Sequence, residues 1–167
     1  MVHRIVSGGQ TGADRAALDF ALHIGIECGG WVPKGRMAED GLIPARYPNL
    51  IETESEDPKM RTELNVRDSD GTLLVTRGTP IGGSAFTLEA AIRLRKPILH
   101  VDLKGESLDL ASRRLLRWIQ DFQPAIMNVA GSRASEDREI YDLTRALLEG
   151  AFIAMKSENN MRAGSQH

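Results

Sequence analysis

Short apolar runs along this chain alternate with longer stretches whose apolar residues recur every three or four positions, a pattern that predicts parallel strands joined by crossover helices. Residues 4–7 (RIVS) read as a first strand, after which Ala17, Phe20, Ala21 and Ile24 keep helical spacing up to Gly25, a suitable C-terminal stop. A second strand is expected near residues 26–31. The segment VPKGRMAEDGLIPARYP that follows, at 32–48, is too rich in proline, glycine and charge for regular structure. Residues 50–52 predict a short third strand, and Asp57 and Pro58 read as N-cap and first position of a brief helix carrying Met60 and Leu64, with Gly71 ending or turning it.

The run TLLV at 72–75 predicts a strand, TRGTPIGG at 76–83 a loop, and Leu88, Ala91, Ile92 and Arg95 a helix closed by Pro97. PILHV at 97–101 predicts another strand. Leu108, Ala111, Leu115, Ile119 and Phe122 form an apolar stripe ended by Pro124, residues 125–129 predict the last strand, 130–135 a loop, and Ile140, Leu143, Leu147 and Ala151 the last helix. The expectation is an α/β fold: an open, mostly parallel, Rossmann-like sheet with helices on both faces. A chain of 167 residues suits one core, so residues 1–156 are expected to form a single ligand-binding domain. Residues 157–167, SENNMRAGSQH, are polar without apolar period and read as a flexible tail.

A formal net charge of −2 gives no general attraction to nucleic acid or acidic lipid, so any anion site must come from a local cluster. Cys28 is the only cysteine, which excludes an intrachain disulfide and a thiolate-rich metal site. No stretch approaches the ~20 apolar residues of a membrane span, and the N-terminus lacks the apolar core of a secretory signal. A cytoplasmic protein with no membrane or nucleic-acid partner is therefore expected. The four histidines have no paired spacing, and DSDG at 68–71 lacks the rest of a calcium loop, so no metal site is assigned.

Ligands of such sheets bind beyond the carboxyl ends of the strands. The loop SGGQTGAD at 7–14 lies there, with Gly8, Gly9, Gln10, Thr11, Gly12 and Asp14 as candidate ligand contacts at a helix N-terminus that favours anions. Its G-G-x-x-G spacing is neither the dinucleotide fingerprint G-x-G-x-x-G nor a P-loop, and Lys34 and Arg36 stand where a ribose-binding acid would be needed. Thr11-x-x-Asp14 also fits a capping box, which leaves Asp14 equally a cap and a contact. Gly82, Gly83, Ser84 and Thr87 supply a second loop, where the glycines could equally relieve a tight turn and Ser84 cap the helix. Lys34, Arg36 and Arg77 are candidate cations, although isolated surface Lys and Arg are more often solubilising. Glu89, one turn into that helix, is expected to face solvent. No catalytic residue is assigned.

Taken together, VSGGQTGADRAALDFAL, GWVPKGRMAEDGLIPARYP, NVRDSDGTLLV, GGSAFTLEA and NVAGSRAS resemble the molybdenum-cofactor carrier family over residues 3–152. The family looks like a branch of the Rossmann-like group that holds the lysine-decarboxylase-like phosphoribohydrolases and DNA-processing proteins. The resemblance implies binding, protection and transfer of the molybdenum cofactor (molybdopterin), a phosphorylated pterin bearing molybdenum, in a homo-oligomer that would meet molybdoenzymes or cofactor-biosynthesis proteins. It adds Asn128, in NVAGSRAS, to the candidate contacts. Two rivals stay open. One is a phosphoribohydrolase-like enzyme that splits the N-glycosidic bond of nucleotides, whose P-G-G-x-G-T-x-x-E pattern departs here at Ile81, Ala85 and Phe86 but keeps Glu89; the other is a nucleotide-binding module without catalysis.

Overall fold

The computed structural model of the chain describes residues 1–164. Its first strand, β1 (Arg4–Val6), leads into helix α1 (Ala13–Ile24), which Gly25 stops in the left-handed conformation while donating its amide to Ala21. Strand β2 (Glu27–Val32) follows, and then a two-stranded hairpin, β3 (Met37–Ala38) and β4 (Gly41–Leu42), in the segment expected to be irregular. Strand β5 (Leu50–Glu52) precedes helix α2 (Pro58–Arg67), where Asp57 caps as its sequence predicts, accepting the Lys59 amide at 2.9 Å with proline in the first turn. The remaining elements alternate: β6 (Gly71–Thr76), α3 (Gly82–Arg93), β7 (Ile98–Asp102), α4 (Leu108–Phe122), β8 (Ile126–Gly131) and α5 (Ile140–Gly164). Helix α5 continues into the polar stretch beginning at residue 157, and residues 165–167 of the expected tail lie outside the described residues.

The main sheet has six strands in the order β5-β2-β1-β8-β6-β7, every pair parallel. Crossovers between parallel strands are right-handed, so the direction of each step decides which face its helix covers. The chain steps one way from β1 through β2 to β5, then the other way to β6 and β7, and finally back to β8. Helices α1 and α4 therefore share one face, where both pack against α5, while α2 and α3 pack together on the other. Central strands buried on both faces explain the unbroken apolar run TLLV: every residue of β6 is buried.

Phe20, Leu73, Leu115, Met127, Ile140 and Leu147 are among the fully enclosed side chains of the core, and Phe20 meets Phe152 edge-on with ring centroids 5.1 Å apart. Two expected apolar faces are revised. Met60 and Ile92 are exposed, and the buried side of α2 consists of Thr62, Asn65 and Val66. Asn65 explains the polar choice, since its amide bridges both backbone groups of Trp31 on β2, accepting from N at 2.8 Å and donating to O at 2.9 Å. A short helix that must satisfy a strand cannot also present a leucine stripe there.

Asp19 on α1 ties the long segment at 33–49 to the helical layer. Its carboxylate accepts hydrogen bonds from the hydroxyls of Tyr47 (2.9 Å) and Tyr141 (2.6 Å) and from Arg46 (2.9 Å). Burial pushes the Asp19 carboxyl up, but those donors together hold it below the usual carboxylate value of 3.8, and burial with Asp19 beside it pushes the Tyr47 phenol up to about 12. A depressed folded value means that Asp19 contributes stability above pH 3.8, which is lost as pH falls through the folded value. Asp19→Asn is accordingly expected to cost about 2 kcal/mol at pH 7. That gap should shrink in strong acid; equal losses at both ends of the pH range in denaturant titrations would contradict the assignment.

Candidate functional site

The reversal in the direction of the crossovers opens a crevice beyond the carboxyl ends of β1, β8 and β6, as expected at a topological switch point. A cleft of about 320 Å³ lies there. Its walls come from four places: Gln10 and Asp14 after β1, the first turns of α2 and α3, and Ala130, Gly131, Arg133 and Glu136 at the end of β8.

The first glycine loop contributes less to this cleft than its composition suggests. Three of its amides are engaged by the protein itself: Gln10 N donates to Asp14 Oδ2 (3.2 Å), Thr11 N to the Gln10 side chain (3.0 Å) and Ala13 N to Ser132 O (3.2 Å). Gly12, at φ 79°, is the N-cap of α1 and lies so close to the β8 loop that a Cβ would fall 2.5 Å from Ser132 O. The Thr11–Asp14 capping box does not form. Instead the Thr11 hydroxyl donates to Glu39 at the hairpin tip and accepts the Ala134 amide at 3.1 Å. The same tip places Asp40 in a two-pronged pair with Arg15 and lets Glu39 accept from the Ser135 hydroxyl at 2.6 Å. The hairpin thus clamps the loops after β1 and β8 together.

Several candidate residues stand outside the lining of the cleft. Gly9 packs against Ile43, so that a Cβ there would fall 2.9 Å from the isoleucine Cδ1. Lys34 is exposed and Arg36 lies within the hairpin segment, its guanidinium 3.5 Å from Pro44 O. Arg77 is ion-paired with Asp137 (2.7 Å) and Glu139 (2.6 Å), which stabilise its charge. Asn128 is buried within β8 and donates to the Thr72 hydroxyl at 3.2 Å. Glu89 is exposed, as expected.

Gln10, Asp14, Gly82, Gly83, Ser84 and Thr87 do meet in the cleft. Asp14 is buried and paired with Arg61 at 3.2 Å, a residue its sequence context did not single out. Burial pushes the Asp14 carboxyl upward, against the opposing pull of Arg61 and the Gln10 amide. Helix α3 begins at Gly82 after Ile81, which provides no side-chain cap. The Gly82 and Gly83 amides therefore have neither an intrahelical partner nor a capping oxygen, whereas the Ser84 amide turns back to Ile81 O at 3.0 Å. Thr87 turns its hydroxyl back to Gly83 O at 2.9 Å, whereas the buried Ser84 hydroxyl has no hydrogen-bond partner among the described residues. Phe86 forms an apolar patch of the wall, with Lys59 Nζ 5.7 Å from its ring centroid. Glu136 is an acid beside the start of α3, 3.6 Å from where a Cβ at Gly82 would lie, and Arg133 holds it through its backbone amide (3.3 Å) and Nε (3.2 Å).

Among the described residues, no cluster of histidine, cysteine, aspartate or glutamate could hold a metal ion, and no helix is long and apolar enough to cross a membrane. What the arrangement can do is receive an anion at an uncapped helix end while an aromatic ring flanks the remainder of the ligand.

Residues 5–152 match the circularly permutated YpsA SLOG family. Among solved structures, the chain is similar to a protein of Syntrophus aciditrophicus SB named "Putative molybdenum carrier protein", at 49% identity and a TM-score of 0.88, covering 90% of this chain and 94% of that one. No match was found among curated proteins.

Proposed function

The chain belongs to the circularly permutated YpsA SLOG family, and from that premise we propose that it is a carrier that binds, protects and hands on the molybdenum cofactor in the cleft at the switch point. The name of the 49% identical neighbour supports a molybdenum carrier role. The observation that carries the finer reading is the uncapped start of α3 at a cleft that Arg61 of α2 also lines and whose apolar flank is Phe86. A phosphorylated pterin is an anionic group joined to a flat ring, and this cleft offers a complement to each part. Its volume falls at the lower end of the range for small-molecule sites, about 300–1,000 Å³. The cofactor is cargo here: binding has to be firm and reversible, which hydrogen bonds and stacking supply without a covalent step.

Exposure of Glu89, and its place outside the cleft lining, favour this reading over the nucleotide-hydrolysing one, which would need that acid at the ligand. The carrier reading predicts that protein purified from a cofactor-producing cell brings molybdenum and, after oxidation, pterin fluorescence, and that it slows decay of added cofactor. Neither metal nor pterin in the preparation, with no protection of added cofactor, would sink it. Release of free base from nucleoside monophosphates would establish the hydrolase instead. Transfer to a molybdoenzyme, assembly as a homo-oligomer and a cytoplasmic setting belong to the same proposal.

A further inference from the structure

We propose that Arg61, Ser84 and the first turn of α3 form a seat for a tetrahedral oxyanion, with Arg61 as the residue that selects a negatively charged ligand. The inference deepens the carrier reading and rests on the same cleft, since the seat would take an anionic end of the cargo, but its affinity for a bare oxyanion can be measured without any pterin.

Ser84 is 3% exposed, lines the cleft and leaves its hydroxyl without a hydrogen-bond partner among the described residues. Buried hydroxyls are ordinarily hydrogen-bonded, so this one marks a place for an oxygen that the protein does not supply. It occupies the first turn of α3, next to the uncapped amides of Gly82 and Gly83. From α2, which also lines the cleft, Arg61 donates from Nη1 to Asp14 at 3.2 Å, while its Nε, also buried, has no partner among the described residues. Asp14 thus anchors one edge of the guanidinium and leaves another donor unengaged.

Gly8 makes this geometry possible. A Cβ at that position would come within 1.8 Å of Arg61 Nη1, so the glycine serves as the floor on which the guanidinium lies rather than as a ligand amide. The oxyanion would then receive a charge-assisted bond from Arg61 and a hydroxyl bond from Ser84, two donors from two different helices, within the field of the α3 end. A lysine could restore the charge but not the planar fork held between Asp14 and a ligand.

The test is titration calorimetry of the full chain with inorganic phosphate and with molybdate, on the wild type, Ser84→Ala and Arg61→Lys, each accompanied by thermal unfolding. The wild type should bind one oxyanion per chain. Arg61→Lys should weaken it about tenfold or more, and Ser84→Ala about threefold to tenfold. The serine variant should keep its melting temperature because no internal hydrogen bond of its hydroxyl is lost, so it remains informative even if the lysine variant folds poorly. Tighter phosphate assigns the seat to the phosphate of the cargo, and tighter molybdate to its oxo-metal end; either supports the seat. Failure of the wild type to bind both anions, or variants that bind as the wild type does, would overturn it. Retained cofactor without oxyanion binding removes the seat and leaves the carrier. Oxyanion binding that depends on Arg61 and Ser84, without cofactor retention, does the reverse.

Discussion

Replacing Gly83 with aspartate is expected to lower cofactor retention and phosphate affinity by more than tenfold while the protein remains folded. A Cβ at Gly83 would meet no atom within 4 Å, so the larger side chain has room. Its carboxylate would sit in the first turn of α3, where a negative charge adds about 0.3–1 kcal/mol to helix stability. The melting temperature should consequently hold or rise slightly. The same charge would occupy the field that an anionic ligand needs and repel it at close range in a partly dehydrated cleft. Gly83→Asn, equal in size but neutral, should retain most of the binding. Equal cofactor retention in wild type and Gly83→Asp, measured as molybdenum and pterin per chain, would remove the start of α3 from the site.

Gly131→Ala is expected to produce the largest loss of stability among single methyl additions near the cleft. A Cβ there would lie 2.1 Å from Val75 O and 2.7 Å from the Ala13 side chain. Val75 is paired with Gly131 across the β6–β8 ladder, and its carbonyl also accepts the Ser132 amide at 3.1 Å. The clash is therefore with backbone on a central strand, which cannot move without opening the ladder at the floor of the cleft. A loss of about 3 kcal/mol follows from overpacking of this kind. For a domain of this size that corresponds to a fall of roughly 10 °C in melting temperature. A drop of only a degree or two in a thermal melt would show that β6 and β8 part easily at this end.

Legibility from the sequence differs by element for physical reasons. The run at 72–75 announced a strand because a sheet covered on both faces makes every side chain apolar, and β6 is buried throughout. The stripe from Leu108 to Ile119 marked the face that α4 buries, although Phe122 at its end is 59% exposed. The hairpin at Met37–Leu42 was not visible, since each of its strands is two residues long and no alternation can be read over so short a span. The face of α2 was misplaced because a polar residue, Asn65, has the job of bonding a strand backbone.

The candidate site divides in the same way. Gly82, Gly83 and Ser84 were visible because a small-residue turn entering a helix has a local signature. Arg61 was not, because it looks like any surface arginine of a short helix until it is seen to reach Asp14, 47 positions away. Nor could the sequence show that the Gln10, Thr11 and Ala13 amides of the first glycine loop are already paired, since one of their partners, Ser132, arrives from the loop after the last strand.

By itself, then, the sequence determined the alternation of strands and helices, the parallel α/β class and the glycine turns at helix starts, because each depends on the spacing of side chains within one element. Only the tertiary structure decided which of two glycine turns lines the cleft most fully and which is mainly a joint between loops. That choice depends on the direction of each crossover and on contacts between residues far apart in the chain, which bring a largely covered arginine and an unpaired serine to one cleft and pack the richer glycine loop against its neighbours.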